Sequence, residues 1–86
     1  MKYGLYTIRD RVAEVGGYPF VSRNNQTAAR VYRDFMSKQN PATVDKNDFE
    51  LMIIGVWDEE KCSVTAKEVP ETIEVALSPL VNNSEA

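Results

Sequence analysis

Phe49-Glu50-Leu51-Met52-Ile53-Ile54-Gly55-Val56-Trp57 is the stretch on which the reading of this chain turns. It is apolar on both alternating sets, with Leu51, Ile53 and Trp57 on one and Met52, Ile54 and Val56 on the other. A half-buried strand alternates apolar with polar, so this pattern predicts an interior strand covered on both faces. Asp58 to Lys61 then supply a hairpin turn, and Cys62 to Lys67 return with Val64 and Ala66 inward and Ser63, Thr65 and Lys67 outward. Further on, Pro70-Glu71 followed by Ile73, Ala76 and Leu77 fits either a short helix with proline at its first position or an added strand.

Upstream, Asn24 and Asn25 precede Ala28, Val31, Tyr32 and Phe35, which recur at helical spacing. The spacing predicts a helix from about Gln26 to Gln39 with an asparagine N-cap, stopped by Asn40-Pro41. Arg30, Arg33, Asp34 and Ser37 fall on its wet side. Nearer the N-terminus, Tyr3 to Arg9 reads as a strand, with Gly4, Tyr6 and Ile8 on one face and Tyr3, Leu5, Thr7 and Arg9 on the other. Gly16-Gly17 marks a turn, and Tyr18 to Val21 is a short edge or irregular strand, because Pro19 has no N–H to donate.

The order β-β-α-β-β predicts an α+β fold: a small antiparallel sheet of three or four strands with one helix packed on one face. We expect a single domain over residues 1–81 and a disordered tail at 82–86. One helix cannot cover both sides of a sheet. The second apolar face of Phe49 to Trp57 therefore has to meet the C-terminal segment, a second subunit or a ligand.

Catalysis finds no support. Histidine is absent, which removes the usual general base near neutral pH and the commonest transition-metal ligand. Cys62 is the lone cysteine, so no intramolecular disulfide forms, and beside Lys61 it reads as ordinary packing. Asp58-Glu59-Glu60 is a single acidic run, whereas a hard-cation site needs converging ligands, and Gly16-Gly17 has neither phosphate-loop nor dinucleotide spacing. The expectation is no enzyme, no cofactor and no metal. The N-terminus lacks the unbroken apolar stretch of a secretory signal, and no run approaches the roughly 20 apolar residues of a membrane helix. We expect a cytoplasmic protein without a membrane partner, in which the Asn25-Gln26-Thr27 and Asn82-Asn83-Ser84 patterns carry no sugar.

Charge is distributed unevenly. Residues 1–46 hold eight basic side chains against four acidic ones, a net of +4, and residues 47–86 hold Lys61 and Lys67 against nine carboxylates, a net of −7. Six of the eight aromatics lie in the first 35 residues. Single-stranded nucleic acid is gripped by cations along its phosphates and by rings on which bases stack. Tyr3, Tyr18 and Phe20 beside Arg9, Arg11 and Arg23, extended by Arg30 and Arg33, supply both, provided they converge on one exposed surface. The acidic half gives a second reading: a protein-interaction module whose carboxylates at Asp58 to Glu60 and Glu68 to Glu74 steer a basic host protein.

Taken together, Tyr6-Thr7-Ile8-Arg9-Asp10, Pro19-Phe20-Val21, Ala28-Ala29-Arg30-Val31-Tyr32-Arg33-Asp34-Phe35 and Asp48-Phe49-Glu50-Leu51 leading to Gly55-Val56-Trp57-Asp58-Glu59 resemble the small nonstructural protein of gokushovirus-type microviruses, phages with circular single-stranded DNA genomes. The resemblance runs to about Lys61. It implies a nonstructural, DNA-binding protein that acts in the host cytoplasm when single-stranded genomes are made. Combined with the uncovered sheet face, it leads us to expect a homodimer that binds single-stranded DNA.

Overall fold

A computed structural model of the chain describes residues 1–76; the expected domain end at residue 81 and the expected tail at 82–86 lie outside the described residues. The elements run β1 (Lys2–Asp10), β2 (Val15–Gly16), β3 (Phe20–Ser22), α1 (Asn25–Ser37), β4 (Phe49–Asp58) and β5 (Ser63–Ile73). All strand pairs are antiparallel. The sheet order is β2-β1-β4-β5, and β3 shares with β2 the free side of β1. This is the expected α+β sheet with one helix, with the two-residue β2 bringing the strands to five.

The apolar run Phe49 to Trp57 lies inside the sheet as expected, between β1 and β5. Its register on β1 holds from Lys2↔Asp58 to Leu5↔Gly55 and resumes at Tyr6↔Ile53, so Ile54 is an extra residue. An inserted residue moves every side chain beyond it to the other face. Trp57 therefore points away from Leu51 and Ile53, with which simple alternation had grouped it. A larger excursion marks the other neighbour: between Gly55↔Ala66 and Ile53↔Glu71, β5 spends Lys67 to Pro70 against Ile54 alone. Pro70 sits in that excursion, where no ladder N–H is required. The segment after it is strand to Ile73, which decides between the two readings of Pro70-Glu71. Gly55 lies where the two strands approach closely, since a Cβ there would stand 2.7 Å from the Thr65 carbonyl oxygen.

Asn24, in extended backbone, caps α1 through Oδ1, which accepts from the Thr27 N–H at 2.9 Å and the Thr27 hydroxyl at 2.8 Å. The helix lies on the face carrying Tyr6, Ile8, Phe49, Leu51 and Ile53. Ala28 and Ala29 are buried and short, so the helix comes down close to the sheet. Tyr32 and Tyr6 are buried yet keep their hydroxyls satisfied: Tyr32 donates to the Phe49 carbonyl at 2.8 Å and Tyr6 to Asn25 Oδ1 at 2.7 Å. Burial raises both phenol pKa values; for Tyr32 nearby Arg11 opposes that shift and Glu50 adds to it.

Three expected inward positions are corrected. Val31 is 43% exposed, because the helix turns its Ala29 and Met36 side to the sheet in its place. Val64 and Ala66 are exposed, because no element among the described residues covers the face they share with Trp57 and Gly55. Among the described residues, the Phe49 to Trp57 strand is thus covered by a helix on one face only.

Candidate nucleic-acid interface

The helix-free face is built from rows of residues facing one another across the strands, since antiparallel partners share a side. Tyr3, Trp57 and Val64 form the first row; Val21, Leu5, Gly55 and Ala66 form the second. Thr7, Met52 and Thr72 form the third, and Arg9 and Glu50 the fourth. Rings and aliphatic groups occupy one end and charged groups the other. From Tyr3 to Arg9 the face extends about 20 Å, at roughly 3.3 Å per strand residue.

The charged end is a network around one carboxylate. Glu50 Oε1 accepts from the Thr72 hydroxyl at 2.7 Å and from Arg11 Nη2 at 3.3 Å, and Oε2 accepts from Arg9 Nη1 at 3.5 Å. Glu50 is the enclosed member, with its side chain 12% exposed against 38% for Arg9 and 50% for Arg11. The Thr72 hydroxyl above all, joined by Arg11 and Arg9, holds the Glu50 carboxyl below the ordinary carboxylate range, against an opposing push from burial. Arg11 reaches the network from just beyond β1, where its N–H donates to the Asp48 carbonyl at 2.7 Å. Arg11 and Lys46 also line a cavity of about 210 Å³ together with Glu50, Thr72 and Glu74.

The residues singled out from sequence do not form one surface. Tyr3 and Arg9 lie on the helix-free face, and Arg11 at its charged end. Tyr3 donates to Glu59 Oε1 at 3.4 Å. Phe20 is part of the core, its ring stacked on Tyr6 with centroids 5.9 Å apart, because β3 turns it toward the helix. Tyr18 is 97% exposed in the connection before β3, and Arg23 is exposed just after it. Arg30 and Arg33 are exposed on α1, on the opposite side of the sheet from Arg9, and Arg33 Nε donates to the Ala76 carbonyl at 3.4 Å. The expectation of a single basic patch is corrected: these positive charges divide between two sides of the sheet, and Arg9 and Arg11 are engaged by a carboxylate from the acidic half.

Sequence reasoning missed Trp57, Glu50 and Thr72 as parts of this surface. The signal for Trp57 was masked by Ile54, whose apolar side chain gives no hint that it is the inserted residue. For Glu50 and Thr72 the signal is register, which places Glu50 opposite Arg9 and brings Thr72 alongside.

Among the described residues no group of three or more His, Cys, Asp and Glu side chains is placed to hold a metal ion, and no helix is long and apolar enough to cross a membrane. In comparisons with known proteins, the family model described as Phage ORF5 protein matches residues 3–78. Neither a curated protein nor a solved structure matches the chain.

Proposed function

Since the chain belongs to the Phage ORF5 protein family, we propose that this phage protein is a nonstructural binder of single-stranded DNA in gokushovirus-type phages, acting during genome replication in the host cytoplasm. The observation that carries the reading is the helix-free face itself. It pairs two aromatic rings, Tyr3 and Trp57, at one end with two partly exposed arginines, Arg9 and Arg11, at the other. Rings offer stacking surfaces to bases of any identity, and guanidinium groups meet the phosphates between them. The interface needs no groove-reading helix, in keeping with a strand that is single and sequence-tolerant.

The same rows carry Leu5, Val21, Met52 and Val64, of which Val21 and Val64 are about half exposed. In the free protein this apolar ground is the proposed contact of a homodimer, so that a second copy and a DNA strand compete for one face.

Anisotropy of a labelled oligothymidylate tests the function. Affinity is expected to fall with salt along a log-log slope of about −0.7 for each phosphate neutralised. Binding that ignores salt, or no binding at about 50 mM salt, refutes it.

A second reading rests on β5, where Glu68 and Glu71 are exposed along the outermost strand and Glu74 just beyond its end. In that reading the acidic strand attracts a basic host protein. Neutralising the three glutamates would then abolish recovery of a stoichiometric partner from host lysate while leaving oligothymidylate binding in place.

A further inference from the structure

Glu50 holds the position that an incoming anion would take. Three donors converge on its carboxylate, the Thr72 hydroxyl and the Arg9 and Arg11 guanidinium groups. Their distances are unequal. The hydroxyl contact is short at 2.7 Å, while the guanidinium contacts at 3.3 and 3.5 Å are longer than the roughly 2.7–2.9 Å usual for a charge-assisted bond. The exposures are unequal in the same sense, since the carboxylate is enclosed and both arginines reach solvent. A tightly held acid and two loosely held, accessible bases make an arrangement in which the bases are free to leave and the acid is not.

We propose that Glu50 is an internal substitute for a DNA phosphate, which keeps Arg9 and Arg11 paired in the free protein and yields them to the backbone of a bound strand. The inference rests on the single-stranded DNA reading above. When a phosphate arrives at the cavity that Arg11 and Lys46 line together with Glu50 and Glu74, Arg11 turns from Glu50 to the phosphate, and Thr72 goes on satisfying the Glu50 carboxylate. No covalent step is involved; one charge-assisted contact replaces another. With the Glu50 carboxylate beside them, Arg9 and Arg11 present a local net charge of +1 in place of the +2 of the two guanidinium groups alone. The device sets how strongly the face attracts DNA.

The test compares the intact chain with Glu50→Gln and Thr72→Val by oligothymidylate anisotropy at about 50 and 200 mM salt. Glutamine keeps the shape of the side chain and an oxygen that accepts from Thr72, and it removes the charge that competes with phosphate. Glu50→Gln is expected to bind several-fold more tightly at both salt concentrations with an unchanged slope, because the same arginines meet phosphate in both complexes and only the competition from the carboxylate is gone. Thr72→Val removes the bond on which Glu50 relies when the arginines leave, and is expected to bind several-fold more weakly. A Glu50→Gln protein with unchanged or weaker affinity overturns the proposal. If Glu50→Gln fails to fold by thermal melting, Thr72→Val decides, and affinity equal to that of the unaltered chain overturns it. Failure of the unaltered chain to bind sinks the DNA reading itself, an outcome distinct from binding that Glu50→Gln does not improve.

Discussion

Replacing Trp57 with alanine separates the two forces that the proposed interface combines. Trp57 is the sole tryptophan, lies half-buried opposite Tyr3 on the helix-free face, and contributes no charge. A base stacked on an aromatic side chain is worth about 1–3 kcal/mol, so Trp57→Ala is expected to raise Kd by about 5- to 150-fold. The salt slope should not move, because no phosphate contact is lost. Arg9→Ala should show the converse, a slope shallower by about 0.7 with a smaller loss at high salt. Tyr3 and Trp57 are cross-strand neighbours about 4.5–5.5 Å apart at Cβ, close enough for both rings to touch one base. If they share a base, Tyr3→Ala combined with Trp57→Ala should cost less than the sum of the single changes. The assay is anisotropy of labelled oligothymidylate, cross-checked by quenching of the intrinsic Trp57 fluorescence. A Trp57→Ala protein of normal stability that binds with unaltered affinity would refute the assignment of DNA to this face, as would binding that leaves the Trp57 emission unchanged.

Other expectations concern stability and association. Gly55→Ala forces a Cβ to within 2.7 Å of the Thr65 carbonyl oxygen and should cost about 1–3 kcal/mol in urea unfolding, whereas the same change at an exposed loop position would not. Cys62 closes the β4–β5 turn at φ 50°, a left-handed conformation costly for any side chain, so Cys62→Gly should stabilise by about 1 kcal/mol and raise Tm by about 4–8 °C. Glu50 has a folded-state pKa below its unfolded value, so its contribution is full above the unfolded pKa and is lost as pH falls through the folded one. Urea midpoints followed downward from neutral pH should therefore fall less for Glu50→Gln than for the unaltered chain. In sedimentation velocity, a concentration-dependent dimer should dissociate when oligothymidylate is added; a dimer that persists with DNA bound places the two contacts on different surfaces.

Most of the fold was legible because local signals and tertiary demands agree. Asn24 announced the helix start, Asn40-Pro41 lay just beyond its end, and the doubly apolar run announced the interior strand. The rest depended on distances along the chain that no local pattern encodes. Ile54 is as apolar as its neighbours, so nothing in composition identifies it as the residue that reverses the facing of Trp57. Val31 and Ala29 flank the apolar stripe on opposite sides of the helix, and close approach to the sheet favours turning the smaller residue inward. Phe20 read as an available ring because an edge strand has no face until its partner is known. Arg9 and Arg11 read as free charge because the carboxylate that meets them is some 40 residues away in sequence and is brought over only by the β1–β4 register.

The excursion of β5 at Lys67 to Pro70 bears on how copies of this protein tolerate crowding. A sheet ends in unpaired amides and carbonyls that can template a neighbouring molecule, and open-ended growth follows when that row is long and straight. Here the outermost strand is broken midway by residues that leave the ladder, and one of them is an imino acid. Filament extension from that side has no continuous template. The proposed homodimer uses the flat of the sheet instead, where a two-fold contact closes on itself and stops at a fixed number of chains.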